Sequence, residues 1–160
     1  SYSLYTEKLD EHWDMKFDDE WRPLRIGAMT LLEEEDQLKE IVRLVGVDAL
    51  SKEERMVLET AKSLREDFLH QNAFHEIDTY ASMEKQFKML RTILLFHNVA
   101  MDALRKGASM NEVFNLPVRE SIARMRYLEE KEIARIDDLE AQIKSEVAEV
   151  TPVGGENDAA

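Results

Sequence analysis

Between positions 67 and 80 the chain gathers Asp67, His70, His75, Glu76 and Asp78 around two aromatic residues, Phe74 and Tyr80. Histidine titrates near neutrality, so His70, His75, Glu76 and Asp78 have the makings of a general acid–base cluster. Nothing in their spacing requires that they meet, and partly exposed polar groups on a loop fit the same residues. Asp67-x-x-His70 is half of a bundle metal motif. A di-metal carboxylate site needs a Glu-x-x-His unit on each of two helices, and no second copy occurs, so no metal site is expected. The aromatics say more. Phe68, Leu69, Phe74, Ile77 and Tyr80 are more apolar bodies than a solvated connection needs. Either they pin the segment to the core, or they form a wall on which something flat stacks. There is no Gly-x-x-x-x-Gly-Lys-Ser/Thr phosphate loop, no Gly-x-Ser-x-Gly elbow and no cysteine.

The elements around this segment are helical. The chain has 160 residues, enough for one domain, and only five glycines and three prolines, which favours long helices over turns. The pattern predicts an all-α fold, a bundle of about six or seven helices. A net charge of -13 argues against nucleic acid as a partner and against docking to an anionic membrane through charge. No apolar run approaches the ~20 residues of a membrane span. The chain opens on Ser1; a segment of a longer chain and removal of an initiator Met both fit.

In chain order, Tyr2, Leu9 and Trp13 suit a short amphipathic helix. A second helix is expected from near Glu20, with Pro23 in its first turn and Trp21, Leu24, Ile26, Ala28, Leu31 and Leu32 on its apolar face. The acidic run 33–36 is expected to be a solvated turn or a bend. Leu38, Ile41, Val42, Leu44 and Val45 then carry the apolar pattern to a stop at Gly46. Residues 47–55 form a tight connection, where Ser51 and Glu54 have the spacing of a capping box. The next helix uses Met56, Leu58, Ala61, Leu64, Phe68 and Leu69. A helix capped by Ser82 is apolar over a wide arc, is expected to be the central one, and stops at Gly107. Ser109 caps a short turn, and Pro117 opens one long last helix running past Ile143. In it the acidic run 129–140 is expected to be solvated, and its distal part either packs on the body or seeks a partner helix. Residues 1–150 are expected to form the helical domain, and residues 151–160 a disordered tail.

Five stretches, in order, resemble the C-terminal helical domain of the catalytic A (alpha) subunit of V/A-type rotary ATPases. They are Ser1-Tyr-Ser-Leu-Tyr5, Ile41-Val-Arg-Leu-Val-Gly46, Asp48-Ala-Leu-Ser51, Gln71-Asn-Ala-Phe74 with Asp78-Thr-Tyr80, and Leu116-Pro-Val-Arg119. The resemblance covers roughly residues 1–130 and departs from the family pattern after about Glu130. It implies a parent chain several-fold longer that carries the phosphate loop and the ATP/ADP and Mg2+ site upstream. No catalytic residue would then lie in this chain, which would be inactive alone. It implies an adenine-binding role for Phe74 and Tyr80. It also implies a rotor-contact role for Asp48, Ala49, Leu50, Ser51, Lys52, Glu53 and Glu54, with Ala49 and Lys52 reducing the acidity of the family's tip. The implied partners are the nucleotide-binding domain of the parent chain, non-catalytic B subunits and the central stalk. The implied place is cytoplasmic, peripheral to a membrane complex that moves protons or sodium ions. Two other readings stay open at this point. One is a stand-alone acidic interaction module. The other is a small helical enzyme built on residues 70–78.

Overall fold

The computed structural model of the chain describes residues 18–69 and 82–153. Among these residues every regular element is helical. Helix α1 is Asp18–Val45, followed by a 3-10 turn, Val47–Ala49; α2 is Lys52–Ser63 and continues as a π-helical segment, Leu64–Leu69. Helix α3 is Met83–Arg105, α4 is Met110–Phe114 and α5 is Val118–Arg124. Two 3-10 turns, Met125–Tyr127 and Glu130–Glu132, lead to α6, Ala134–Val150. The short helix expected within residues 2–15 lies outside the described residues.

Helix α3 is the centre, as its apolar arc predicts. It packs against α6, α2 and α1 and buries residues over a wide arc, from Phe87 and Leu90 to Ala100 and Leu104, leaving a narrow exposed stripe through Glu84, Arg91, Asn98 and Arg105. Its ends match the sequence signals. The Ser82 hydroxyl accepts from the Lys85 N–H at 3.1 Å. Beyond Arg105, Gly107 adopts φ +105°, and the Ala108 and Gly107 N–H groups donate to the Ala103 and Leu104 carbonyls. That reciprocal pairing closes a helix whose next residue must be left-handed, which glycine accepts without steric cost.

Helix α1 starts earlier than expected, at Asp18, so Pro23 lies inside it rather than in its first turn. A proline there leaves the carbonyl four residues back without its helical donor. Burial of Trp21 holds this turn: the indole is fully buried, edge-on to Phe87 with ring centroids 4.9 Å apart. The acidic run 33–36 is a turn within one continuous helix, not a bend between two, and it is solvated except at one residue. Glu33, Glu34 and Asp36 are exposed, but Glu35 is buried. Its carboxylate accepts from Arg65 Nη2 at 2.5 Å and Nε at 3.2 Å, a two-point ion pair that ties α1 to the π-helical segment. The apolar face of α1 is also narrower than its sequence suggests. Ile26, Ile41, Leu44 and Val45 are exposed, whereas Leu38 and Val42 pack on the core.

The one long last helix expected from Pro117 is two helices. Leu128 and Glu129 are extended, with ψ of 138° and 158°, and α6 folds back along α3. Neither glycine nor proline marks the break. A lysine elsewhere makes it: Lys85 is 1% exposed, and its ammonium donates to the carbonyls of Arg126 at 2.5 Å and Leu128 at 2.7 Å. These carbonyls are taken by a cation instead of by the next helical turn. The Ser82 N–H donates to Glu130 at 2.8 Å, and Asp137 pairs with Lys88 and Arg91, so the acidic run 129–140 is stitched to α3 rather than merely solvated. Ile136, Leu139, Ile143 and Val147 are buried, so the distal helix packs on the body. Of the tail, residues 154–160 lie outside the described residues.

Lys85→Met leaves two buried carbonyls without a donor and is expected to cost about 2–4 kcal/mol in urea unfolding. Lys88→Met, which removes a more exposed charge pair, is expected to cost about 1 kcal/mol or less. Equal costs would remove the special role of Lys85. A second test concerns His97, which is buried on α3 and shares a 2.5 Å hydrogen bond with Thr60 of α2. Burial, with a smaller contribution from the Arg105 charge, lowers its pKa from 6.5 to about 4. The unfolded chain therefore binds the proton more readily. Stability is complete above pH 6.5 and falls as pH drops from 6.5 toward 4, by about 3 kcal/mol over the whole window. His97→Gln should flatten that part of the stability–pH curve relative to the parent chain.

Candidate functional site

The turn between α1 and α2 is built from four local devices. Gly46 ends α1 at φ +91°, a backbone state that side chains resist. A 3-10 turn follows, and the Leu50 N–H closes it on the Val47 carbonyl at 3.0 Å. Leu50 is extended and buried, which plants the turn on the core. Ser51 then opens α2 with the capping box predicted from its spacing. Its hydroxyl accepts from the Glu54 N–H at 3.1 Å, and the Glu54 carboxylate accepts from the Ser51 N–H at 2.9 Å.

Two further polar contacts brace the turn. Arg55 pairs with Asp48 at 3.0 Å, and Lys52 Nζ donates to the Ala108 carbonyl at 3.3 Å. The second bond ties the turn to the segment that follows α3. Of the seven residues expected at a rotor contact, Asp48, Ala49 and Ser51 are exposed, Lys52, Glu53 and Glu54 are half-buried, and Leu50 faces the core. Beside them stand apolar side chains, of which Ile41, Leu44 and Val45 were expected in the apolar pattern of α1. Leu44 is 66% exposed and Val45 67%, with Val47 and Ile41 also at the surface. Their positions four and three residues apart on α1 were the available signal. The same spacing describes an inward face, so only the structure separates the two.

From the turn, α2 and its π-helical extension run without interruption to Leu69. Leu64, Phe68 and Leu69 are buried and fix the end of this rod. The Arg126 guanidinium donates to the Glu66 carbonyl, and the Ser63 hydroxyl donates to Asp67 at 2.8 Å. Burial pushes the Asp67 carboxyl above its ordinary value, against the Ser63 hydrogen bond and the Arg126 charge. A π-helical turn is wider than an α-turn and occurs frequently at functional sites; nothing in the sequence announced this one. Beside it a cleft of about 280 Å³ opens between α2, α3 and α5, with Ile93 and Phe96 on one side and the Arg119–Glu59 pair, at 2.9 Å, on the other.

The rod delivers the chain to residue 70. Phe74 and Tyr80, expected at an adenine ring, lie outside the described residues, as do His70, His75, Glu76 and Asp78. The chain is described again at Ser82, on the cap of α3. Both ends of the 70–81 segment are thus held by buried elements. Among the described residues no group of three His, Cys, Asp or Glu side chains is placed to hold a metal ion, and no helix is long and apolar enough to cross a membrane.

A family profile for the C-terminal domain of V and A type ATP synthase matches residues 10–114. The V-type ATP synthase alpha chain of Thermoanaerobacter pseudethanolicus is 53% identical over 144 residues, covering 90% of this chain and 24% of that protein. The corresponding alpha chain of Clostridium perfringens is 53% identical over 155 residues, covering 97% of this chain and 26% of that protein. The alpha chain 1 of Clostridium tetani is 47% identical over 159 residues, covering 99% and 27% respectively. Similarity to these relatives continues past Glu130, which corrects the expectation that the chain departs from the family pattern there. The chain spans about a quarter of the length of the curated relatives it matches. With an all-helical bundle and matches of this extent, the chain belongs to the family of the C-terminal domain of V- and A-type ATP synthase alpha chains.

Proposed function

We propose that this domain is the lever of a rotary ATP synthase/ATPase catalytic subunit. In this reading it contributes Phe74 and Tyr80 to the adenine pocket and carries nucleotide-driven motion to a central stalk through the turn at residues 47–55. The observation that carries the reading is the rod formed by α2 and its π-helical extension. One end is the capped turn, and the other leads directly into the segment that holds Phe74 and Tyr80. The Glu35–Arg65 ion pair couples this rod to α1, a helix of 28 residues and so about 42 Å long. Two helices joined at the tip and cross-braced by a two-point ion pair resist bending, which a lever requires.

The mechanism follows from that geometry. Nucleotide closes the aromatic wall around adenine, whose flat π-face suits stacking at about 1–3 kcal/mol per base. Closure shifts the end of the rod at Leu69. The buried anchors Leu64 and Phe68 pass the shift to the bundle as a unit, and the tip moves against the stalk. Phosphate chemistry, with ATP/ADP and Mg2+, belongs to the rest of the catalytic subunit. The non-catalytic B subunits and the membrane sector that moves protons or sodium ions would be partners of the whole assembly, with this domain cytoplasmic and peripheral to the membrane. Alone, the domain should not hydrolyse ATP.

Phe74→Ala in the complete enzyme is expected to raise the nucleotide Km about fivefold to a hundredfold while turnover falls less. An unchanged Km with lower thermal stability would leave Phe74 a packing role only. For the tip, Ser51→Cys should cross-link to an engineered cysteine on the central stalk in at least one nucleotide state. Failure in every state would sink the rotor contact.

A further inference from the structure

The segment that carries Phe74 and Tyr80 is flanked by the π-helical end of the rod and by the first turn of α3, and both flanks bond to one short stretch, the chain reversal at residues 125–130. On the first flank the Arg126 guanidinium donates to the Glu66 carbonyl. On the second, the Lys85 ammonium donates to the Arg126 carbonyl at 2.5 Å and to the Leu128 carbonyl at 2.7 Å, and the Ser82 N–H donates to the Glu130 carboxylate at 2.8 Å. Arg126 therefore bonds both flanks, one with its side chain and the other with its main chain. Its guanidinium is itself oriented. The Nη2 group donates to the Tyr127 hydroxyl at 2.6 Å, and Cζ lies 4.8 Å from the centroid of the Tyr127 ring. A planar fork held over a ring aims its N–H groups in a set direction.

We infer that Arg126 is a positioning residue for the adenine site: with Glu130 beside it, it fixes the separation of the two flanks and so the placement of Phe74 and Tyr80 between them. The inference rests on the adenine reading above and adds the residue that sets its geometry. The physical basis is a shared reference point. A hydrogen bond with a charged donor is about twice as strong as a neutral one. The donor here stands on a firm base, because Ile122 and Met125 are buried and Lys85 is 1% exposed. The flanks lie sixteen positions apart in sequence, from Glu66 to Ser82, yet they are bonded to residues four positions apart, Arg126 and Glu130. Stacking requires flat faces in contact, so a shift of either flank is read directly as weaker hold on a base. A packing role for Arg126 makes a different prediction: lower stability, with the hold on adenine unchanged.

The test is a double-mutant cycle in the complete enzyme, with ATP as the varied substrate. Arg126→Met should raise Km about threefold to thirtyfold while kcat falls no more than about twofold. Arg126→Lys, which keeps a charged donor, should return Km to within about threefold of the parent. In the Phe74→Ala background Arg126→Met should change Km by less than about twofold, because the wall through which it acts is already gone. Lys88→Met loosens α3 from α6 without touching either flank and should leave Km within about twofold of the parent. Glu130→Ala sits at an exposed position and carries the test should Arg126→Met fail to assemble; it should raise Km about twofold to fivefold. An unchanged Km in Arg126→Met or Glu130→Ala, full additivity with Phe74→Ala, or an equal rise in Lys88→Met overturns the positioning role. If Phe74→Ala raises Km and Arg126→Met does not, this inference fails and the adenine reading stands. If Phe74→Ala itself leaves Km unchanged, both fail.

Discussion

Lys85 places an ammonium group in a site with 1% exposure and satisfies it with the carbonyls of Arg126 and Leu128. A buried cation of this kind is tolerated only where oxygen atoms replace its water. The two carbonyls are available only if the chain leaves the helix after Tyr127, and the extended Leu128 and Glu129 are the result. The reversal lets α6 return along α3 and bury Ile136, Leu139, Ile143 and Val147. Remove the reversal and α6 would extend into solvent with those four side chains exposed. The architecture of the C-terminal half therefore hangs on one side chain at the start of α3, more than forty residues earlier in the chain.

That dependence explains what the sequence could and could not reveal. Signals confined to a few residues were legible. Ser51 and Ser82 cap helices, Gly46 and Gly107 end them, and the wide apolar arc of α3 puts it at the centre. Each is a local rule in which the residue and its consequence lie within one turn. Features decided by distant partners were illegible. The break at Leu128 depends on Lys85, the burial of Glu35 depends on Arg65, and the position of Pro23 inside α1 depends on Trp21 seated against Phe87. The site divided the same way. The capped turn was readable as a turn, but its apolar outer face was not, because periodicity identifies a stripe without saying whether a neighbour covers it.

The cross-links between helices fall into two groups with different mechanical consequences. Lys85, the Ser82–Glu130 bond and the Asp137 pairs fasten α3 to the reversal and α6. Glu35–Arg65 and the buried turn residue Leu50 fasten α1 to α2. The groups meet at Arg126, whose carbonyl accepts from Lys85 while its guanidinium donates to the Glu66 carbonyl in the π-helical segment. One residue thus couples the anchored core to the end of the rod. The end of the rod is thus tied to the α3–α6 core through Arg126 and to α1 through Arg65.

The polar groups of the turn between α1 and α2 hold its local structure. A helix end has free N–H and C=O groups that fray unless they are bonded. Ser51 and Glu54 satisfy the start of α2, and Asp48 with Arg55 braces the 3-10 turn against the helix. Redirecting those groups to a partner would release the very constraints that keep the turn rigid. Leu44, Val45 and Val47 make no such bonds and stand exposed beside the turn.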